Sequence, residues 1–246
     1  MATTTSKQRT LTHLLGFNGH GGDSRSRDTT VAQAEPLPVL EQVMFALCRE
    51  NATQDQAEQA YANLKSRFFD WNEIRVSTVR ELEEAMAGLS DTENRAQRMI
   101  AFLQEVFEEH FSYDLEGLQK KGVKQAAKKI TSYGAANEFV GAWVTQRSLG
   151  GHAIPVDAAS LRCARRLGLI EANTDNHETA RAALEHLIPK AKGTHFSDAI
   201  SQVAEEYCRE KDPNCRQCPL RGDCPTAQKQ ASEHQAATKS RSAKPR

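Results

Sequence analysis

The chain has no long hydrophobic run, no net charge and little cysteine. No apolar stretch in its 246 residues approaches the roughly 18 needed to cross a bilayer, so a membrane-spanning role is not expected. Lys plus Arg total 32, as do Asp plus Glu, so any nucleic-acid binding must come from a local basic face and not from bulk charge. The first residues, MATTTSKQRTLTHLLGF, lack the apolar core and small-residue cleavage site of a secretory leader, which points to the cytoplasm, or to the nucleoid of a bacterial cell, and argues against disulfides. Alternating apolar and polar residues, the mark of half-buried strands, are nearly absent. An apolar content of 39% against 26% charged residues still allows a sizeable core.

What is present is helical periodicity. Val39, Leu40, Val43, Met44 and Leu47 recur at a period near 3.6 behind Pro36 and Pro38. Similar patterns run over about 55–69, 77–88, 92–110, 114–131, 138–149, 157–168, 176–188 and 196–208. Val79, Leu82 and Met86 mark one apolar face, and Met99, Ile100, Leu103, Val106 and Phe107 another. About nine helices joined by short polar loops leave no room for a sheet, so the fold class is all-α. Residues 1–36 and 226–246 are polar and read as disordered tails, the second one basic, with Leu11, Leu14, Leu15 and Phe17 able to form one short docking turn.

Four of the six cysteines lie close together, as CREKDPNCRQCPLRGDC, with the spacing C-x6-C-x2-C-x5-C over Cys208, Cys215, Cys218 and Cys224. Pro213, Asn214, Pro219 and Gly222 prevent a continuous helix and let the sulfurs converge. Tetrahedral zinc accepts four thiolates, but its structural sites mostly use two short knuckles, and only one close pair exists here. The gaps of six and five also suit the looser wrap of a [4Fe-4S] cluster.

This cysteine loop resembles the one that closes the endonuclease III branch of the helix-hairpin-helix DNA glycosylases. The resemblance covers most of residues 37–225 and is strongest in the cluster loop and the segment GGHAIPVD. It implies a [4Fe-4S] cofactor and two helical lobes with duplex DNA across the cleft. A helix at 37–50 would pack with the cluster lobe, a six-helix lobe would span 51–160 and carry the hairpin, and 161–225 would hold the C-terminal helices and the loop. The expected partner is double-stranded DNA with a damaged base, bound by a monomer.

The resemblance also implies residue roles. The family's catalytic aspartate in a V-D motif corresponds to Asp157, where a carboxylate beside C1′ would stabilise an oxocarbenium-like transition state. Its bland alternative is a cap on the helix that begins AASLRCARRL, and both roles are compatible. Counting back without gaps puts the hairpin on Tyr133, Gly134, Ala135, Ala136 and Asn137, whose backbone amides would point at a phosphate. Asn137 stands where the family has a glycine, and Asn is the residue that best tolerates positive φ. Bifunctional members attack the sugar with a lysine; this register has Phe139 there and the alternative register has Ala136, so strand-cleaving lyase activity is not expected. A glutamate that protonates adenine is also missing, with Ala46 and Leu47 near its position.

Asn51 falls where relatives place a side chain that fills the gap left by a flipped nucleotide. Tyr133, Phe139 and Trp143 are either core or part of a base pocket. Lys120, Lys121, Lys124, Lys128 and Lys129 form a stripe leading into the hairpin, and Arg147, Arg162, Arg165 and Arg166 flank the aspartate helix, both read as phosphate ligands. The functional expectation is a monofunctional DNA base-excision glycosylase. A duplex-binding relative without catalysis and an iron-sulfur electron carrier are the alternatives.

Overall fold

A computed structural model describes residues 4–17 and 37–232. Among these the chain forms eleven α-helices up to Glu206, a further helical segment over 225–232, and two short 3-10 turns, Glu116–Lys120 and Lys190–Lys192. The only β feature is an isolated bridge between Ala87 and Leu89. The protein is all-α. No helix among the described residues is long and apolar enough to cross a membrane.

Two hydrophobic cores divide the molecule. The first is built by α2 (Val39–Arg49), α3 (Gln54–Arg67), α4 (Trp71–Val76), α5 (Val79–Ala85), α6 (Thr92–His110), α7 (Val123–Ser132) and α8 (Glu138–Arg147). Met44, Leu47, Leu64, Ile74, Leu82, Met99, Phe102, Leu103 and Val144 are buried in it. The second contains α1 (Thr4–Leu15), α9 (Ala158–Arg166), α10 (His177–Leu187), α11 (Gly193–Glu206) and the cysteine loop, around Leu14, Ile154, Leu184, Phe196, Ile200 and Leu220.

Local chemistry sets the helix starts. Thr53 and Thr78 open α3 and α5 with capping boxes, their side chains accepting from the amides of Gln56 and Glu81 while those residues reach back. Asn137, Asp157 and Asn176 cap α8, α9 and α10. The two helices of the hairpin approach closely at Gly141, where an added Cβ would stand 2.5 Å from Thr131 Cγ2.

Several placements differ from the sequence reading: the helix expected over 114–131 is divided into the 3-10 turn Glu116–Lys120 and α7, and residues 226–232, expected in a tail, are helical. Residues Thr4–Leu15, expected within a tail, form α1, held against α11 by Leu11 and Leu14 and tied to the cysteine loop by Arg9 and His13, both paired with Asp223. The rest of both expected tails, apart from residues 16–17 and 226–232, lies outside the described residues. The helix near 37–50, expected to pack with the cluster lobe, is buried in the first core instead, because both faces of α2 are apolar and lie against α3, α6 and α8.

Candidate functional site

The end of α2 delivers two site residues to the start of α9. Arg95, buried on α6, donates to the carbonyls of Leu47, Cys48 and Glu50 and so satisfies the last turn of α2 with a cation. The chain then turns through Asn51 at φ +54°, a left-handed conformation that Asn tolerates. Asn51 Oδ1 accepts the Ala158 amide at 3.0 Å, and Asp157 Oδ1 accepts the Ser160 amide at 2.8 Å. Asn51 and Asp157, 106 positions apart in the chain, thus share one helix N-terminus. The cap reading of Asp157 is correct, and its side chain also borders a cavity.

That cavity is a narrow, partly open cleft where the two cores meet, lined by Arg49, Phe139, Trp143, Asp157, Ser197 and Ser201, among others. Arg49 is 4% exposed and spans the lobes. Its guanidinium donates to Gln54 Oε1 at 3.2 Å, to the Ala52 carbonyl, to Ser201 Oγ and to Glu205 Oε1 at 2.9 Å. Burial pushes the Glu205 carboxyl above the usual range, and Arg49 partly offsets that. Phe139 stacks on Trp143 with ring centroids 5.9 Å apart, and Trp143 Nε1 donates to Gln42 Oε1 at 2.9 Å. No lysine lines this cavity. Sequence reasoning missed Arg49 entirely, because its partners Ser201 and Glu205 lie over 150 positions away.

The hairpin between α7 and α8 differs from expectation in its backbone. Asn137 has φ −71° and acts as the N-cap of α8, accepting the Val140 amide, so it does not stand in for a left-handed glycine. Neither Gly134 nor Ala135 has a positive φ, and the Cβ of Ala135 is accommodated without backbone strain. The Gly134 amide faces Glu105, whose carboxylate oxygens lie 3.2 and 3.3 Å away. Asn137 Nδ2 donates to Glu50 Oε1 at 2.6 Å, and Arg98 joins the same Glu50 carboxylate to the Ala135 carbonyl. Tyr133 is core, edge-on to Phe102 and bonded to His110. Lys120, Lys121, Lys124 and Lys128 are exposed along the approach to the hairpin, whereas Lys129 pairs with Glu109 and lies 4.4 Å over the Tyr133 ring.

At the other end of α9, the four loop cysteines line one pocket together with Cys163, Arg166, Leu167, Val203 and Ala227. No disulfide joins any of the six cysteines. Among the described residues no three His, Cys, Asp or Glu side chains converge tightly enough to share a single metal ion. Arg162 Nε donates to the Cys208 carbonyl at 2.9 Å, and Arg166 reaches the Arg209 carbonyl at 2.6 Å, the Glu210 carbonyl at 3.2 Å and Cys208 Sγ at 3.7 Å. A hydrogen bond from Cys163 and the adjacent Arg166 bring the Cys208 thiol down to about 6. Burial raises Cys218 to about 11.

No family model matches the chain. It is 24% identical over 171 residues to the DNA glycosylase/AP lyase ROS1 of Arabidopsis thaliana, covering 63% of this chain and 12% of that protein. It is 26% identical over 113 residues to an endonuclease III homolog of Encephalitozoon cuniculi, covering 46% of this chain and 47% of that one. The chain thus spans less than half the length of either of these relatives. A solved non-covalent endonuclease III-DNA complex superposes with a TM-score of 0.71 at 15% identity, over 94% of this chain and all of that one. The chain has the endonuclease III fold. A thermostable thymine-DNA glycosylase shares it, with a TM-score of 0.64 at 17% identity over 93% of this chain and all of the other.

Within the endonuclease III fold, the expected residues separate into three groups. Asp157 and Asn51 meet at the start of α9, with the cavity beside Asp157. Gly134, Ala135 and Asn137 lie together in the hairpin, and Lys128 stands exposed on the helix before it. The cysteines gather at the far end of α9. The arginines read as phosphate ligands are engaged within the protein: Arg162 and Arg166 with the cysteine loop, Arg165 with Asp175 at 2.7 Å, and Arg147 with Asp198. An arginine on a helix facing an irregular loop finds the loop's unpaired carbonyls, a demand that helical spacing does not reveal.

Proposed function

We propose that the protein is a DNA glycosylase of the endonuclease III type that releases a damaged base by hydrolysis and does not itself cut the strand. The observation that carries this is that Asp157, the cap of α9, borders a cleft between the two cores whose wall includes Phe139, the residue that the gapless register aligns with the family's lysine. Breaking the C1′-N bond sends its electron pair to the base, which gains a proton. Positive charge builds on the sugar, and the Asp157 carboxylate opposes it. A water then forms the new C1′-O bond and gives up a proton, which the same carboxylate would accept. With no lysine lining the cavity, no Schiff base forms by this route and the product is an intact strand with an abasic site. Asn51, which accepts the Ala158 amide next to Asp157, is the residue assigned to the space a flipped nucleotide leaves. DNA is the partner expected from the relatives' names and from the lysine stripe beside the hairpin.

A [4Fe-4S] cluster held by Cys208, Cys215, Cys218 and Cys224 is part of the same proposal. The residues fit by their chemistry: four sulfurs border one pocket, Arg162 and Arg166 bring positive charge, and the remaining walls are largely apolar. The cluster would anchor the loop against α9, and α9 carries Asp157 at its other end.

One observation favours a second reading, a duplex-binding relative without catalysis. Glu105 sits on the Gly134 amide that a phosphate would otherwise approach. Incubation with duplexes carrying a panel of damaged bases, analysed with and without alkali, separates the two. Strand breaks only after alkali support hydrolytic base release; retained duplex binding with no release from any lesion supports the second reading.

A further inference from the structure

Glu50 stands between the hairpin and the Asn51 turn and is tied to both. It is the C-cap of α2, its carbonyl is held by Arg95, and the next residue is Asn51 at φ +54°. Its carboxylate, 16% exposed, is shared between two elements: Oε1 accepts from Asn137 Nδ2 at 2.6 Å, and Oε2 accepts from Arg98 Nη1 at 2.8 Å. Arg98 leads back to the same hairpin, its Nε donating to the Ala135 carbonyl at 3.0 Å. A carboxylate this buried persists only when paired, and both of its partners engage the hairpin. On the other side, Asn51 Oδ1 accepts the Ala158 amide at 3.0 Å, beside the Asp157 cap. Asn137 and Asn51 are both exposed, so one largely buried side chain joins two surface positions far apart in the sequence.

We propose that Glu50 is a positioning residue that couples phosphate binding at the hairpin to the placement of Asn51 at the lesion. The proposal rests on the glycosylase reading made above. The hairpin does not need Glu50 for its shape: α7 and α8 close on each other at Gly141, and Asn137 Oδ1 caps α8 through the Val140 amide. What the carboxylate adds is a connection. A hairpin seated on the backbone fixes Ala135 and Asn137, these hold Glu50 directly and through Arg98, and Glu50 fixes the main chain from which the Asn51 side chain extends. Asn51 then meets the duplex already oriented, and less ordering is left to be done at the lesion.

The test uses the full chain as wild type, Glu50→Ala, Glu50→Gln, Asn51→Ala and the Glu50→Ala/Asn51→Ala double variant, with thermal melts to confirm folding. Fluorescence anisotropy measures binding to an undamaged duplex and to the same duplex carrying a tetrahydrofuran abasic-site analogue. Glu50→Ala is expected to lose affinity for the analogue duplex by about tenfold, within the range that residues of one network show in double-mutant cycles. Its affinity for the undamaged duplex should be no lower than wild type, because the hairpin keeps its own packing and the charge removed is negative. The double variant should bind the analogue duplex no more weakly than Asn51→Ala alone. Glu50→Gln keeps an acceptor for Asn137 and loses the pairing with Arg98, so its affinity should lie between those of wild type and Glu50→Ala. If Glu50→Ala does not fold, Glu50→Gln and its combination with Asn51→Ala decide by the same criteria. No loss on the analogue duplex, equal losses on both duplexes, or losses that add in the double variant overturn the proposal and leave the glycosylase reading standing. A wild-type protein that shows no preference for the analogue duplex overturns the lesion-binding reading and this proposal with it.

Discussion

Asp157 has an observed role as a helix cap and a proposed one in catalysis, and substitution can separate them. As N-cap of α9 its carboxylate accepts the Ser160 amide at 2.8 Å, and as the buried acidic group of the cavity it faces the place where charge would develop. Asn caps a helix about as well as Asp, so Asp157→Asn keeps the amide acceptor and loses only the interaction of a negative charge with the helix N-terminus, roughly 0.5 kcal/mol. Asp157→Ala loses the cap as well, about 1 kcal/mol more. In a chain of this size 1 kcal/mol moves Tm by about 2–4 °C, so thermal melts should rank wild type, then Asn, then Ala, over a few degrees in all. Activity should not follow that ranking. Removing a preorganised charge that acts mainly in the transition state lowers turnover by about 10²–10³-fold, and both variants should fall together by that amount in single-turnover base release. An Asp157→Asn protein that releases base at the wild-type rate would refute the catalytic assignment and leave Asp157 as a cap alone.

Other perturbations probe the frame around it. Arg49→Met leaves Glu205 buried without its partner and should lower stability by about 3 kcal/mol, a fall in Tm of roughly 6–12 °C; a melt within a degree of wild type would show that Arg49 does not tie the lobes. Glu105→Ala exposes the Gly134 amide and removes one negative charge from the hairpin, so duplex affinity should rise about fivefold, roughly 1 kcal/mol, in fluorescence anisotropy; unchanged or weaker binding would mean that the hairpin does not meet phosphate. The hydrogen bond from His13, with Arg9 beside it, holds the Asp223 carboxyl below the usual range. Its folded value is the lower one, so the contribution to stability is complete above the ordinary carboxylate value of about 4 and is lost as pH falls through the lowered value. Hydrogen exchange of the α1 amides should accelerate over that acid window in the wild type, and Asp223→Asn should exchange at the faster rate at neutral pH.

Helices with strong local signals were legible in the sequence. α6 falls on the expected 92–110 because its apolar face recurs over five turns, and α10 and α11 lie within a few residues of their expected positions. α4 was not foreseen, since six residues are too few to establish a period. α1 was missed for a different reason: its polar sequence is held in place by Asp223, 210 positions from His13, and by Leu11 and Leu14 against the second core. The site divides in the same way. The cap at Asp157 and the convergence of the loop cysteines could be read because both sit in compact motifs. Arg49, the Glu105 contact with the hairpin and the turning of Arg162 and Arg166 toward the cysteine loop depend on neighbours distant in sequence, and no local pattern encodes them. The hairpin backbone was misread because a helix cap and a left-handed turn both favour Asn, and only φ distinguishes them.

The central claim is hydrolytic release of a base without strand cleavage. It is tested most directly by single-turnover reactions of the wild-type protein on end-labelled duplexes carrying oxidised, deaminated and alkylated bases, each run with and without hot alkali and with borohydride present. The account predicts at least one duplex that breaks only after alkali, no borohydride-trapped protein-DNA adduct, and loss of the signal in Asp157→Asn. A covalent adduct or alkali-independent breakage would contradict the hydrolytic mechanism, and the absence of release from every duplex would contradict the glycosylase assignment itself.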